Sequence, residues 1–364
     1  MKVTIVLGTS TGGVGAHVRM LAQRLPDSGV EVTVACPPGT EERFGFAATG
    51  AAYRPVSIAA GPRPVSDAAT VLRLRAVTRG SDVVHAHGFR AAALTGIALG
   101  RRRPGRTPLV ATWHNAVLVG GRRRRVLALI EAVAARRADL TLAVSPDLVD
   151  RARELGAPEA RLAPVPAPRL AAPSRTRAQV RDEFGAGRRP IVLAVARLAQ
   201  QKDYDTLLEA SSSWRHRNPP PLVLAAGDGP EYDRLARLIE SRGLPVRLLG
   251  RRADVPDLLA AADVFVMTSR WEGSPLVVQE AMAAGVPVVA TAVGGVPALT
   301  GNGVVLVPRA DPEAVARAVG ALLDDPAARA ALVERARAAA AKWPDEAEAT
   351  QQIARVYREV SGRS

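Results

Sequence analysis

Along the first 170 residues, short continuous apolar runs alternate with segments in which apolar positions recur every three or four residues. The runs at 2–8, 30–36, 82–86, 108–114 and 140–145 are too short for helices and rich in β-branched residues, so they predict strands. Several are nearly unbroken by polar residues, which predicts parallel strands covered on both faces. Helical spacing covers 14–24 and 126–137. The pattern predicts a doubly wound α/β domain. Residues 162–173 then hold four prolines. Proline fixes φ and removes a donor, so this stretch predicts a domain boundary. A second alternation follows, with strands expected at 191–196, 222–226, 246–249, 264–268, 286–290 and 304–307. Pro344 marks a break before a final helix at 345–360. The expected organisation is a Rossmann-like domain at 1–168, a second at 169–344, and a helix at 345–364 that packs back toward the first domain. No short-period repeat is visible, which argues against a solenoid.

Composition sharpens this picture. The length of 364 residues suits two domains, and 48% hydrophobic residues give each a core. The formal net charge is +14, and only Lys2, Lys202 and Lys342 are lysines. Arginine, alanine, glycine and proline dominate as a GC-rich genome would produce, so the distribution of charge says more than its size. Residues 1–170 carry 24 basic and 12 acidic side chains, whereas the second half is nearly balanced. The single cysteine, Cys36, excludes a disulfide framework and a cysteine zinc site, and predicts a reduced, cytoplasmic setting. No apolar run reaches 18 residues, so no transmembrane helix is expected. The N-terminus lacks the pattern of a signal peptide and reads as a first strand. Aromatics make up 4%, too few to predict base stacking, so nucleic acid is not an expected partner.

Candidate chemistry clusters where strands end. Ligands of open α/β sheets bind beyond the carboxyl ends of the strands. Gly12-Gly13-Val14-Gly15 joins the first strand to a helix, where glycines let backbone approach a phosphate. It resembles a dinucleotide fingerprint loosely, because the acidic residue about 20 positions on is absent. Arg197 ends the strand at 191–196 and Lys202 follows five residues later; a guanidinium fork and a compact ammonium suit a diphosphate. The strongest pattern is Glu272-Gly273-Ser274-Pro275-Leu276-Val277-Val278-Gln279-Glu280, straight after the strand at 264–268. Ser274 is expected to cap a helix and Pro275 to begin it. Glu280 then lies about a turn and a half inside. Two carboxylates at different depths suit the paired hydroxyls of a sugar and a ribose. Val293-Gly294-Gly295-Val296-Pro297 looks like another phosphate-approach turn. Gly227-Asp228-Gly229-Pro230 and Gly250-Arg251 mark two more strand ends.

Together these motifs resemble the donor-binding domain of family-4 retaining glycosyltransferases with the GT-B fold, closely over 190–310. The first half resembles the family more weakly, through Gly12-Gly13, His85-Ala86-His87 and Thr112-Trp113-His114-Asn115. The resemblance implies two Rossmann-like domains facing across a cleft. It implies that Arg197 and Lys202 neutralise the diphosphate of a nucleotide sugar, that Glu280 holds the ribose and that Glu272 meets a sugar hydroxyl. Backbone at Gly273, Ser274, Pro275, Leu276 and Val277 would meet sugar and phosphate, and Gly250 and Arg251 the base. Gly227 belongs to the same edge. Gly12 and Gly13 would lie by the diphosphate, and His114 would approach the sugar. The reaction implied is transfer of a hexosyl group to an acceptor lipid, glycan or small molecule. No cofactor and no metal are expected, because the two cations replace Mg²⁺. The sequence departs from the family at Ala196 and Asp203, where glycine, or glycine or asparagine, is usual, and at Ala298, where glutamate is common.

The remaining histidines read differently. His85 and His87 have the spacing of a metal pair without acidic or cysteine partners, so packing or acceptor shaping is expected. His17 is expected on a helix face near the glycine loop, and His216 on the surface. Arg101-Arg102-Arg103 with Arg106, and Arg122 to Arg125 leading into apolar 126, 129, 130 and 133, suit either a core-packed helix with a solvated end or contact with anionic lipid. The latter would place the protein peripherally on the inner face of the plasma membrane. Two other functions fit less of the pattern: a nucleotide-sugar epimerase of similar architecture, and a lipid- or nucleic-acid-binding relative without catalysis.

Overall fold

Each predicted strand forms, and two more join them. In the first half these are β1 (Lys2–Leu7), β2 (Glu31–Cys36), β3 (Ala52–Pro55), β4 (Val83–His87), β5 (Leu109–Trp113), β6 (Leu140–Ala143) and β7 (Ala160–Leu162). In the second half they are β8 (Ile191–Val195), β9 (Leu222–Ala226), β10 (Val246–Gly250), β11 (Val264–Met267), β12 (Val288–Thr291) and β13 (Val305–Val307). The structure, a computed structural model, describes residues 1–59, 61–118 and 120–362, with the side chain of Arg122 outside the described set. It divides into two units, Met1–Pro166 with Pro344–Ser364, and Ala167–Trp343.

The first unit is a seven-stranded sheet in the order β3-β2-β1-β4-β5-β6-β7, the second a six-stranded sheet in the order β10-β9-β8-β11-β12-β13. Their ladders are parallel. In each sheet the winding reverses once among these strands, between β1 and β4 and between β8 and β11. Those are the switch points at which the loops leaving adjacent strands diverge and open a crevice.

The unbroken apolar runs have a direct cause. Successive side chains of a strand point to opposite faces. In the second unit Leu193, Phe265 and Val288 enter one core, while their neighbours Val192, Val264 and Val289 enter another across the sheet. Neither face of these strands tolerates a charge. β3 and β7 escape the same reading because each is a short edge strand that carries an arginine and gives little to the core: β3 is mostly exposed, and of β7 only Ala160 is buried.

The last helix, Glu346–Ser361, begins with Asp345 and Glu348 in a reciprocal capping box. Its apolar face, with Ile353, Ala354 and Tyr357, joins the core of the first unit beside Ile5, Val34 and Leu140. Glu346 pairs with Arg24 at 2.8 Å. Tyr357 is fully buried, and its hydroxyl reaches His85 on β4.

Candidate functional site

At the switch point of the second unit, the loops leaving β8 and β11 are stitched together. Gln201 Nε2 donates to the Trp271 carbonyl at 2.8 Å, and the Arg270 amide donates to the Gln201 carbonyl at 2.8 Å. Thr268 Oγ1 donates to the carbonyls of Lys202 and Asp203. These bonds bring Lys202 Nζ to 2.5 Å from Glu272 Oε1, although the residues lie 70 positions apart. Ser269 Oγ donates to the same oxygen at 2.6 Å. Asp203 explains its own departure from the family pattern. Its φ is +50°, left-handed backbone that glycine or asparagine adopts most readily and aspartate also tolerates. Its carboxylate accepts from Thr206 at 3.1 Å and pairs with Arg270 at 3.2 Å.

The Glu272 side chain is 9% exposed and that of Lys202 23%, so the pair sits in a partly dry environment where charge acts strongly. Arg197, past the end of β8, is exposed and among the described residues its side chain has no ion-pair or hydrogen-bond partner. Glu280 is half-buried, among the described residues no cation pairs with it, and burial pushes its carboxyl above the usual carboxylate range. A protein that keeps an unpaired carboxylate half out of water carries a cost, and a ligand with paired hydroxyls would offset it.

One expectation about this helix is corrected. It runs Leu276–Ala283 and its N-cap is Pro275, not Ser274. Ser274 lies one residue further out, where its hydroxyl accepts from Gln279 Nε2 at 3.2 Å. Pro275 holds extended backbone (ψ 106°) at the cap, so helical geometry starts one residue later than the sequence pattern suggests. Glu280 is then the fifth helical residue rather than the sixth. The first-turn amides of Leu276 and Val277 have no partner inside the helix, as in any helix start, and lie beside buried Gly273.

The glycine turns also need correction. A Cβ on Gly294 would lie 2.1 Å from the Glu272 carbonyl oxygen, and the Gly295 amide donates to that oxygen at 2.9 Å. This turn therefore holds the Glu272 loop, and its Gly295 amide is not free for a phosphate. Likewise a Cβ on Gly227 would lie 1.8 Å from the Ala196 carbonyl, the residue before Arg197. The Gly227 amide donates to Gly250 at 2.7 Å, tying β9 to β10, and Arg251 beyond it is exposed. Gly12 differs. A Cβ there would meet nothing within 4 Å, whereas one on Gly15 would strike the Phe44 ring at 2.2 Å. Packing requires Gly15. The space beside Gly12, which caps the helix Gly13–Arg24, is open.

In the first unit, four histidines gather where the sequence assigns His114 alone to the sugar. His85 and His87 end β4, His114 follows β5, and His17 reaches them from the buried face of the helix Gly13–Arg24. His87 Nδ1 and His114 Nε2 are 2.9 Å apart, and the His17 ring stands edge-on to both. His85 bonds Tyr357 Oη at 2.7 Å and Thr112 Oγ1 at 2.6 Å. Burial lowers the pKa of His17 to about 4 and that of His85 to about 3; His87 and His114 fall well below the ordinary range, for burial first and mutual repulsion second. All four are neutral at pH 7. Among the described residues no three His, Cys, Asp or Glu side chains form a set that could hold a metal ion. The signal for the cluster was weak in the sequence, because His17 joins it only through the direction of its helix. His216 is exposed.

The basic helix spans Gly121–Arg137. Its inner face is Glu131, paired with Arg151 at 3.0 Å, with Ala134 and Ala135. Val126 and Leu129 point the other way, at 45% and 69% exposure, beside exposed Arg123, Arg124 and Arg125. Among the described residues no helix is long and apolar enough to cross a membrane.

Comparison with known proteins adds the following. The family described as Glycosyl transferases group 1 matches residues 176–339, and the one described as Glycosyl transferase 4-like domain matches residues 12–168. The D-inositol 3-phosphate glycosyltransferase of Salinispora arenicola is 32% identical over 376 residues, covering 90% of this chain and 82% of that protein. The alpha-D-kanosaminyltransferase of Streptomyces kanamyceticus is 35% identical over 191 residues, 50% of this chain and 49% of that protein, so this match spans about half of that relative. Among solved structures, HepE of Anabaena in complex with UDP-glucose superposes with a TM-score of 0.81 at 22% identity, covering 99% of this chain and 100% of that one.

Proposed function

The chain belongs to the GT-B glycosyltransferases of the family-4 type, and on that premise we propose that it moves a hexosyl group, with retention, from a nucleoside-diphosphate sugar to an acceptor hydroxyl. The observation that carries this reading is the Lys202–Glu272 pair at 2.5 Å; Arg197 follows β8 as an exposed guanidinium and Glu280 lies half-buried in the helix after β11, each unpaired among the described residues. Two cations and two acids on the segments that follow β8 and β11 suit a ligand with a diphosphate in the middle and diols at both ends.

The chemistry follows from those charges. Arg197 and Lys202 stabilise the negative charge that grows on the departing diphosphate, and do so without reorganising at the moment of reaction. The amides of Leu276 and Val277 add their dipoles. Glu272, oriented by Lys202 and Ser269, accepts from a sugar hydroxyl; Glu280 accepts from the ribose. With no carboxylate assigned as nucleophile, the acceptor oxygen attacks the anomeric carbon from the face the diphosphate leaves. The C–O bond to phosphate breaks, the C–O bond to the acceptor forms, and the acceptor proton passes to the leaving phosphate. Two fixed cations make a divalent ion unnecessary in this scheme. UDP-glucose and GDP-mannose are donors to test first, since UDP-glucose is bound by HepE and the names of related mannosyltransferases specify GDP-mannose.

Calorimetry with UDP, GDP and their hexoses, followed by transfer assays in EDTA, tests the reading. Arg197→Ala and Lys202→Ala should each lower turnover about 10²–10³-fold with the fold intact, and the new glycosidic bond should keep the donor's anomeric configuration. Full turnover in both variants would reject the assignment, and a sugar nucleotide of altered configuration without acceptor would favour an epimerase.

A second reading concerns where the enzyme works. Exposed Val126 and Leu129 beside three exposed arginines suit the surface of an anionic membrane, each cation contributing about 1 kcal/mol there. This would bring a lipid acceptor to the first unit, peripherally on the inner face of the plasma membrane. Recovery with anionic vesicles at low salt, lost in Leu129→Glu, is the expected result. No flotation at low salt would leave a glycan or small-molecule acceptor.

A further inference from the structure

The histidine cluster carries more than packing. His87 Nδ1 and His114 Nε2 lie 2.9 Å apart. Both rings are neutral, so one nitrogen must donate and the other accept. The two choices are not equivalent, because the second nitrogen of His87, Nε2, is buried without a partner among the described residues. If His114 donated, His87 would accept at Nδ1 and carry its own proton on Nε2, an N–H sealed from water with nothing to receive it. If His87 donates from Nδ1, the buried Nε2 is only a bare lone pair. Orphaned buried N–H groups are the rarer and costlier of the two.

We propose that His87 is a positioning residue that fixes the tautomer of His114, so that His114 holds its proton on Nδ1 and offers a neutral N–H donor to a substrate oxygen. His114 Nε2 is occupied as acceptor, which leaves Nδ1 as the one nitrogen of that ring not engaged by His87. A neutral donor suits a sugar hydroxyl, because it stays a donor across the physiological range. His17 follows the same rule: its Nδ1 is buried and unpartnered, which assigns its proton to Nε2. His85 holds the arrangement in place. Its ring lies against that of His87, with centroids 4.2 Å apart, and both its nitrogens are tied, to Thr112 on β5 and to Tyr357 on the last helix. The groups recorded against the pair are therefore the neutral imidazoles of His17 and His85, the latter held by two hydroxyls, and among the described residues no carboxylate acts on His87 or His114.

The use made of the N–H rests on the transfer reaction proposed above; the tautomer does not. The test is a long-range ¹H–¹⁵N spectrum of the full chain labelled at histidine, without substrate, with His114 assigned from the signals missing in His114→Gln. The expected spectrum shows His114 neutral with its proton on Nδ1 at pH 7. A proton on Nε2 overturns the proposal in the unsubstituted protein, whether or not any variant folds. His87→Asn keeps an amide donor near the Nδ1 position and should retain the tautomer, whereas His87→Leu should release it to a mixture. A mixture in the Asn variant, or an unchanged spectrum in the Leu variant, also counts against the role. Calorimetry with UDP should give the same Kd in the Leu variant as in the parent. Loss of UDP binding in the parent would overturn the proposed function and leave the tautomer assignment standing.

Discussion

Replacing Lys202 by methionine removes a charge and keeps most of the stem. Glu272 is then a carboxylate with 9% side-chain exposure, left with one hydroxyl donor, Ser269 at 2.6 Å. Removing one partner of a fully buried pair costs about 3–5 kcal/mol. Here Lys202 is 23% exposed, and water near it relieves part of that cost, so about 2 kcal/mol is expected. In a unit the size of Ala167–Trp343 this lowers Tm by about 4–8 °C. Adding Glu272→Gln removes the stranded charge, so the double variant should recover about 1–2 kcal/mol relative to additivity. Turnover should not recover, because the diphosphate still lacks its cation. Four proteins measured by calorimetric unfolding and by donor turnover close the cycle; the transition to follow is the one that UDP raises. Additivity within about 0.5 kcal/mol would show that the two groups do not interact. Restored turnover in the double variant would show that Lys202 serves only to neutralise Glu272.

Three further outcomes are expected. Tyr357→Phe strands His85 Nδ1 in a fully buried site and should cost about 1–3 kcal/mol, seen as a lower melting transition of the first unit; an unmoved transition would remove the link between the last helix and β4. The pKa of His17 is lowered in the fold from 6.5 to about 4, so the unfolded chain takes up the proton first. The stability this group contributes is complete above pH 6.5 and is lost as pH falls toward 4, by about 3 kcal/mol in full. Denaturant titrations across that range should show a slope shallower by about one proton in His17→Gln, and an identical slope would contradict the burial of this ring. Glu280→Gln relieves an unpaired, half-buried carboxylate, so Tm should hold or rise while UDP affinity falls; equal affinity by calorimetry would take Glu280 out of the ribose site.

Much of this molecule could be read from its residues in order. Strands such as β8 and β11 announce themselves because both faces are covered, so every position must be apolar. The carboxyl ends follow from the strands, and with them Arg197, Lys202, Glu272 and Glu280 as the groups that leave one sheet edge. β3 and β7 could not be read in this way: an edge strand is covered less and shorter, and the Ala52–Pro55 stretch has no periodicity to betray it. The start of the helix at Leu276 eluded the pattern because a serine before a proline signals a cap one residue early.

What the chain order determined by itself is the list of elements and the chemistry at their ends, because burial, turn geometry and capping act on neighbouring residues. What only the tertiary structure decided is which of those ends meet. The 2.5 Å approach of Lys202 to Glu272 depends on β11 lying beside β8. The meeting of His17, His87 and His114 depends on β1, β4 and β5 lying in sequence across a sheet. The glycines of the second unit divide in the same way. Their presence was legible, but that Gly227 and Gly294 make room for the Ala196 and Glu272 carbonyls is a matter of distance through space, which no local pattern encodes.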